Sequence, residues 1–380
     1  MRRGLEGEVG PDGRYRPRNG QSRLAEKMCR RWPGLSVRRG VQLREVVKAM
    51  SWMKQGGTLL ALGLAVSLAG GAWQGVPTEH LFVLVQEGIP DPAGVAALAE
   101  GVLQEVWALW LPQGLATQLP RPFQQVVSPE VIARAREAAG LPPPSDIPCY
   151  GVVLYADPEE LWRDVDWYGI GGTYYSGRYG WDLGERLQAR AREAGAPSDW
   201  APWGYLLGYC PEGDCPAVIA HELTHALQDY AGFQIPTDGC PVELDREPRL
   251  IVEGMARWTE FALGYSGDPD LRVRGPVAIW LELGGTLEEV PEFFLYEIGA
   301  SLFEYLSFRL SSHEMLALFS RPQRELLGLP EGDFPDLFRL LYGAGWEEFL
   351  AGWQGWVEAV PPPPGAGLVY EERRLGIGLR

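Results

Sequence analysis

The residues with the clearest chemical pattern lie in Val218–Tyr230, which reads V-I-A-H-E-L-T-H-A-L-Q-D-Y. His221 and His225 stand four positions apart in an uninterrupted apolar pattern, so both side chains leave the same face of a helix, one turn apart. Glu222 follows the first histidine, where a carboxylate can reach a metal-bound water without binding the metal. The segment therefore predicts a Zn²⁺ site for hydrolysis, with two histidine ligands and Glu222 as general base.

A third metal ligand must come from elsewhere, because zinc in hydrolases usually has three protein ligands and leaves one position for water. Several carboxylates follow the helix, at Glu243, Asp245, Glu247, Glu253 and Glu260. We favour Glu253, which apolar residues flank, because a carboxylate on a mostly buried helix needs a partner and zinc would be that partner. Gly254 would let two helices approach closely at the metal.

Three stretches of the chain resemble gluzincin metallopeptidases. Val218–Phe233 is similar to their thermolysin-like site helix, and Glu253–Ala256 to the E-G-x-A ligand helix of the peptidase-MA-like members. Tyr296–Leu306 matches their later Y-x-x-G-x-x-x-x-x-Y-L pattern. The resemblance covers Cys149–Leu310 and implies bound zinc and hydrolysis of peptide bonds. It also implies an α+β, zincin-like fold, with a small β-sheet layer over a mainly helical lobe and the H-E-x-x-H helix at the cleft.

Further residues receive roles from this resemblance. Tyr296 would stabilise the oxyanion as water attacks. His313 is a second choice for that role, and its position is also typical of a surface histidine at a helix start. The peptide would add as a strand to a sheet edge above the site helix. Gly169–Gly180, rich in glycine and tyrosine, suits that edge or a plain surface loop.

The chain departs from the gluzincin pattern in two places. Many gluzincins have an aspartate four residues after the ligand glutamate to orient a histidine, and this chain has Arg257 there. Asp229 is our candidate for the orienting group. The interval from His225 to Glu253 is also longer than in thermolysin-like members, whose spacing would fall on Asp245. Asp245 therefore remains an alternative third ligand.

The charge of the chain is distributed unevenly. Residues 1–54 contain 14 Lys/Arg and 5 Asp/Glu, whereas the rest contains 20 and 45, and no lysine follows Lys54. Nucleic-acid binding relies on basic contacts to phosphates, so this acidic body argues against DNA or RNA as a partner. The oligomeric state is open.

The N-terminal part has the layout of a targeting segment. Residues 1–52 form a basic leader without periodicity, in which the true start of translation is open, and residues 53–72 read as a signal peptide. We expect a secreted or envelope-located protein, with an uncleaved anchor at residues 58–72 as the alternative. Cys149, Cys210, Cys215 and Cys240 would permit two disulfides outside the cytosol, whereas buried thiols are the alternative inside it.

Residues 73–360 are predicted to form the catalytic domain. Strands are expected at His80–Val85 and Cys149–Ala156. Helices besides the site helix are expected at Pro92–Leu111, Pro129–Gly140, Asp157–Asp166, Leu250–Leu263, Val277–Leu283, Glu297–Leu310, Ser312–Phe319 and Trp346–Val360. The proline-rich tail, residues 361–380, should leave the core and pack little.

These observations together predict a zinc-dependent peptidase acting on peptide or protein substrates. Two alternatives stay open. The first is a zincin-like fold without catalysis that serves as a binding or assembly module. The second is a zinc hydrolase that acts on another amide or an ester.

Overall fold

The computed structural model divides the chain into two compact units, Met1–Ala69 and Gly70–Arg380. In the first unit, the short strands β1 (Glu8–Val9) and β2 (Tyr15–Arg16) pair antiparallel, a pairing that the prediction for residues 1–52 did not include. Otherwise the structure describes residues 73–111, 149–168, 170–176, 182–197, 200, 202–213, 215–235 and 241–375.

The second unit contains a mixed five-stranded sheet with the order β3-β4-β5-β7-β6. Its strands are β3 (Trp73–Pro77), β4 (Leu81–Gln86), β5 (Tyr150–Tyr155), β6 (Gly172–Ser176) and β7 (Gly204–Tyr209). The three central strands run parallel, and β3 and β6 are antiparallel edge strands. Every residue of β4 and β5 is buried, as expected for parallel strands with helices on both faces.

The remainder of the second unit is mainly helical. The α-helices of its described residues are α1 (Pro92–Trp110), α2 (Pro158–Val165), α3 (Asp182–Glu193), α4 (Pro216–Tyr230), α5 (Val242–Arg246), α6 (Arg249–Ala262), α7 (Gly275–Glu282), α8 (Leu295–Ser307), α9 (Ser312–Ala317), α10 (Arg321–Leu326), α11 (Phe334–Tyr342), α12 (Trp346–Ala359) and α13 (Ala366–Leu375). A π-helical turn at Asp270–Arg274 leads into α7.

The helices cover the two faces of the sheet. On one face, Leu161 of α2 and Leu187 of α3 pack with Val153 in a single buried cluster. On the opposite face, the hydroxyl of Tyr150 donates a hydrogen bond to the carbonyl oxygen of Ala226 on α4, at 3.5 Å. Helix α4 therefore lies directly against the sheet, and α6 packs on α4 from the other side with α8 beyond it.

The structure confirms the α+β class, with a small mixed sheet and mostly helical content. The two strands predicted first are β4 and β5, and the Gly169–Gly180 segment contains the edge strand β6. Each helix predicted within the described residues is present, with small shifts at its ends. The helix predicted at Pro129–Gly140 lies outside the described residues. The sequence analysis missed β3, β7, α3, α5, α10 and α11.

The prediction that the chain after Pro361 packs little is wrong for α13. Gly365 has a φ of +97° and turns the chain back after the proline run, and Ala366 and Tyr370 are buried. Arg373 forms an ion pair with the buried Glu297 at 3.0 Å. The prolines end α12, but the apolar residues that follow them give α13 a face to bury.

Two observations concern the predicted location. No helix among the described residues is long and apolar enough to cross a membrane, and the predicted signal segment at residues 53–72 lies outside them. Cys210 and Cys215 form a disulfide, Cys149 is exposed, and Cys240 lies outside the described residues.

Candidate metal centre

His221, His225 and Glu253 come together between α4 and α6. Their ligand atoms all lie within 4.8 Å of one another. The Nε2 atoms of the two histidines lie 3.3 Å and 3.5 Å from the same oxygen, Oε2 of Glu253. Pro216 begins α4 in the first turn, where a missing N–H costs nothing, and the helix then carries both histidines on the face toward α6.

The second nitrogen of each histidine is held by a hydrogen-bond acceptor. Nδ1 of His221 donates to Oε1 of Glu260 at 2.9 Å, since an ionised carboxylate can only accept. Nδ1 of His225 donates to Oε1 of Gln228 at 2.9 Å, and the amide nitrogen of Gln228 donates to the carbonyl of Val252. Because Nδ1 of each ring donates to its acceptor, the neutral form of each imidazole has its Nε2 lone pair on the side of Glu253.

Glu260 takes the orienting role that we assigned to Asp229, and that assignment was wrong. Oε2 of Glu260 also accepts hydrogen bonds from Arg257 and from the hydroxyl of Ser266. Oδ2 of Asp229 instead accepts from Tyr174, Ser176 and the indole N–H of Trp203, at 2.9–3.0 Å. Asp229 therefore connects α4 to the edge strand β6.

Electrostatics couple these groups strongly. Burial by itself would lower the pKa of His221, but its hydrogen bonds to Glu253 and Glu260 outweigh burial and raise the pKa to about 10. Burial would raise the pKa of Glu253, whereas the charge of His225 and the hydrogen bonds to both histidines hold it far below its usual range. A metal ion bound at Nε2 of His221 would therefore have to displace a proton, because only a deprotonated imidazole nitrogen binds a metal.

Glu222 lies beside this cluster, under the edge strand β6. It is 6% exposed, and its Oε2 is buried and accepts no hydrogen bond from a described residue. A Cβ on Gly172 of β6 would lie 2.6 Å from Oε1 of Glu222, so the carboxylate sits directly beneath the edge strand. Burial raises the pKa of Glu222 to about 7, against the opposing charges of the two histidines. A carboxyl group with this pKa can both accept and release a proton near neutral pH.

Tyr296 is in the first turn of α8, and its ring stacks on His221 with centroids 5.7 Å apart. Two glycines of the sequence motifs, Gly254 and Gly299, allow α8 to come this close to α6. A Cβ on Gly254 would lie 2.5 Å from the Cα of Gly299, so α6 and α8 cross in direct backbone contact. The prediction that Gly254 permits a close helix approach is thereby confirmed, and the other helix is α8.

Two other candidates lie away from the cluster. Asp245 is exposed on α5 and does not belong to the group formed by His221, His225 and Glu253. His313 is in the first turn of α9 and lines neither cavity beside the histidines. The neighbouring Ser312 hydroxyl donates to the carbonyl of Leu109 at the end of α1, so this turn packs against α1.

Two cavities meet at the cluster, beside β6. The first cavity has a volume of about 550 Å³ and extends toward Arg257, Arg272 and Arg373. The second cavity, of about 490 Å³, runs along Thr173–Ser176 of β6. The residues that line both are Ile170, Gly172, His221, Glu222 and Tyr296. One cleft therefore passes over the histidines, with the edge strand as its upper wall.

The donor set fits Zn²⁺. Two imidazole nitrogens and one carboxylate oxygen are ligands that catalytic zinc sites use, and each histidine has the orienting acceptor that such ligands usually have. No protein-family model matches this chain, and no curated protein is found to be similar to it.

The orienting roles of Glu260 and Gln228 were not predicted from the sequence. The spacing in the sequence does indicate both residues as neighbours of a predicted ligand. Glu260 is two helical turns after Glu253, and Gln228 is three residues after His225, so each shares a helix face with that ligand. The spacing alone could not separate Glu260 from the other nearby carboxylates.

Proposed function

We propose that this protein is a zinc-dependent peptidase with a zincin-like fold, in which His221, His225 and Glu253 hold the metal. The observation that supports the proposal most is the convergence of both Nε2 atoms on Oε2 of Glu253, next to the buried Glu222, whose Oε2 accepts no hydrogen bond from a described residue. Asp245 has no comparable support as third ligand.

The chemistry divides among the residues of the cleft. Zinc, when bound, supplies Lewis-acid polarisation of a water molecule and of the substrate carbonyl. Glu222 takes a proton from the attacking water and returns it to the leaving amine, a role that its raised pKa suits. Tyr296, across the cleft, donates a hydrogen bond to the oxyanion.

The edge strand provides the binding surface for the substrate. The outer edge of β6 faces away from β7, so an extended peptide can add there through main-chain hydrogen bonds. Asp229 holds β6 at this height above α4 through Tyr174 and Ser176. The peptide bond over Gly172 would then lie above Glu222.

Metal analysis and a digest of a peptide library test this proposal. We expect the purified protein to contain about one zinc per chain, and Glu253→Ala to lose most of it. Cleavage should stop with a chelator and fall by about 100-fold or more in Glu222→Gln, which should keep its zinc. Full zinc content in Glu253→Ala would show that another residue is the ligand.

The same digest separates the two alternatives. A binding or assembly module would bind zinc but cleave no peptide, and its biological role would survive Glu222→Gln. A zinc hydrolase for other substrates would cleave amide or ester probes, with chelator sensitivity, but no peptide of the library.

We also propose that the protein works outside the cytoplasm. The disulfide between Cys210 and Cys215 supports this location, since disulfides persist in oxidising compartments. Mass spectrometry of the N-terminus of the protein from its native cells tests the proposal. Cleavage after Ala69 or Ala72 is the expected result, and an intact Met1 would contradict it.

A further inference from the structure

We propose that the first cavity binds a carboxylate group of the substrate, so that the protein selects peptides that carry a negative charge close to the bond that is cut. This inference rests on the proposed peptidase function and specifies its substrate class. The carboxylate is either an Asp/Glu side chain or the free C-terminus of the peptide.

Three arginines line the first cavity, and two of them are already fixed in place. Arg257 bonds Glu260, and Arg373 bonds Glu297, through Nη1 and Nε respectively. Both glutamates are buried, so these two pairs hold the guanidinium groups still at the cavity wall. Each pair is electrically balanced.

Arg272 supplies the unbalanced charge. It is exposed on the π-helical turn, lines the first cavity, and makes no ion pair within the described part of the chain. A guanidinium group presents a planar fork of N–H donors that matches a carboxylate, which makes arginine well suited to recognise one. At the end of the first cavity away from the histidines, Arg272 therefore has a positive charge that no described carboxylate pairs with and that a substrate carboxylate can neutralise.

The charged side chains that line the second cavity are acidic. Its lining includes Asp229 and Glu253, and no arginine or lysine among the residues that the structure describes. The whole body of the protein after Lys54 is acidic, so the unpaired charge of Arg272 at one end of the cleft is a local exception to its overall charge. A negative group on the substrate is thus attracted to the first cavity and repelled from the second.

The first cavity also begins at the reacting atoms. His221, Glu222 and Tyr296 form its wall on the side of the metal centre. A peptide whose scissile bond lies over Glu222 therefore places only its adjoining residues in this cavity. The negative charge must be near the scissile bond, on one side of it only.

Binding and cleavage of matched peptides test this inference separately from the proposed function. Binding is measured with full-length Glu222→Gln and pairs of peptides that differ by Glu against Gln, or by a C-terminal acid against an amide. We expect the charged member of one pair to bind about tenfold more tightly or better. The pair that responds identifies the source of the carboxylate. Equal binding of both members in both pairs would overturn the inference.

Arg272→Ala supplies the second readout. We expect it to remove most of the preference for the charged peptide, and to leave the affinity for the neutral peptide almost unchanged. Arg246→Ala is the matched control, because Arg246 is also exposed but lies on α5 and lines neither cavity. A preference that survives Arg272→Ala intact would also contradict the inference.

The two proposals fail in different ways. Charge-selective binding without any cleavage would leave the carboxylate site and refute the peptidase. Cleavage that does not distinguish charged from neutral peptides would leave the peptidase and refute the carboxylate site.

Discussion

Each histidine of the candidate metal centre uses its two ring nitrogens for different purposes. The Nδ1–H groups donate to Glu260 and Gln228, which leaves the Nε2 lone pairs of His221 and His225 directed at a common point. The hydrogen bond from His221 ends on a carboxylate, and Arg257 in turn neutralises that carboxylate. The ring of His221 is therefore held by the charged Glu260, which is itself paired with Arg257. The ring of His225 is held by the neutral amide of Gln228.

Glu260→Gln should weaken zinc binding. The substitution keeps the shape of the side chain but replaces the charge-assisted hydrogen bond to His221 by a neutral one, and we expect about a tenfold loss of affinity. Competition with a fluorescent chelator measures it. Glu304→Gln is the control, since Glu304 accepts a hydrogen bond from Trp258 but does not contact the histidines. Equal affinities for the two variants would exclude the orienting role of Glu260.

A second histidine–carboxylate pair governs stability in acid. Nδ1 of His80 lies 2.6 Å from Oε1 of Glu100, which connects the start of β4 to α1. Glu79 brings a third ligand-type oxygen near, but Glu100 already accepts from Thr78 and the backbone of His80. Although burial opposes it, hydrogen bonding from His80 and Thr78 lowers the pKa of Glu100 to about 2. We interpret the pair as a structural contact.

The pH dependence of this pair has a definite sign. Because the folded pKa of Glu100 is depressed, its stabilisation is present above pH 4.5 and is lost as the pH falls toward 2. Between pH 5 and pH 3, the unfolding free energy of the wild type should fall by about 2 kcal/mol more than that of Glu100→Gln. Urea denaturation at each pH measures the difference. Parallel curves for the two proteins would contradict the prediction.

The crossing of α6 and α8 is the contact between elements that places Tyr296 beside His221. A Cβ on Gly299 would lie 2.1 Å from the carbonyl oxygen of Leu250, and one on Gly254 would meet the backbone of Gly299. Two backbones thus touch without a side chain between them. Gly254, which follows Glu253, and Gly299, three residues after Tyr296, therefore form one contact between the two helices.

Gly254→Ala should separate these helices and destabilise the fold. Backbone atoms cannot move aside as a flexible side chain can, so we expect a loss of about 3 kcal/mol in the unfolding free energy. Gly355→Ala on α12 is the matched control, because its Cβ meets nothing within 4 Å and alanine favours the helix, with a gain of about 0.5–1 kcal/mol. Chemical denaturation of both variants measures the contrast, and effects of the same sign would refute the close crossing.

The C-terminal helix α13 packs back against the other helices of the second unit. Helix α13 returns after the proline run, packs on α7, and brings Arg373 to the buried Glu297, one residue from Tyr296. Helix α13, the last helix among the described residues, thereby contributes Arg373 to the lining of the first cavity. The side chain of Glu297 is 2% exposed, and Arg373, from the far end of the sequence, supplies the counter-charge beside it.

Arg373→Met should therefore lower the stability of the whole unit. Methionine keeps much of the side-chain length but leaves Glu297 buried without its counter-charge, at an expected cost of about 3 kcal/mol. Adding Glu297→Gln to the same variant removes the isolated charge and should restore more than half of the loss. Denaturant midpoints at constant slope measure both. If the second substitution restores nothing, the loss comes from packing and not from the charge.

Local patterns in the sequence were enough to predict much of this protein. The i, i+4 spacing put His221 and His225 on one face of α4, and short runs of apolar, β-branched and aromatic residues predicted β4 and β5, because both signals depend only on one element. Glu253 was distinguished among the acidic residues after α4 by its apolar neighbours and by Gly254. The resemblance of three short motifs to gluzincins implied the α+β class.

The tertiary structure decided what depends on contacts between distant segments. It selected Glu260 over Asp229 to hold His221, because Glu260 lies on the face of α6 that packs against α4, whereas Asp229 on α4 contacts the edge strand β6. It brought Gly254 against Gly299 and returned Arg373 to Glu297, across intervals of 45 and 76 residues. It also gathered three arginines at one end of the cleft of an acidic protein. Composition and periodicity describe one segment at a time, whereas these pairs exist only after the helices have packed.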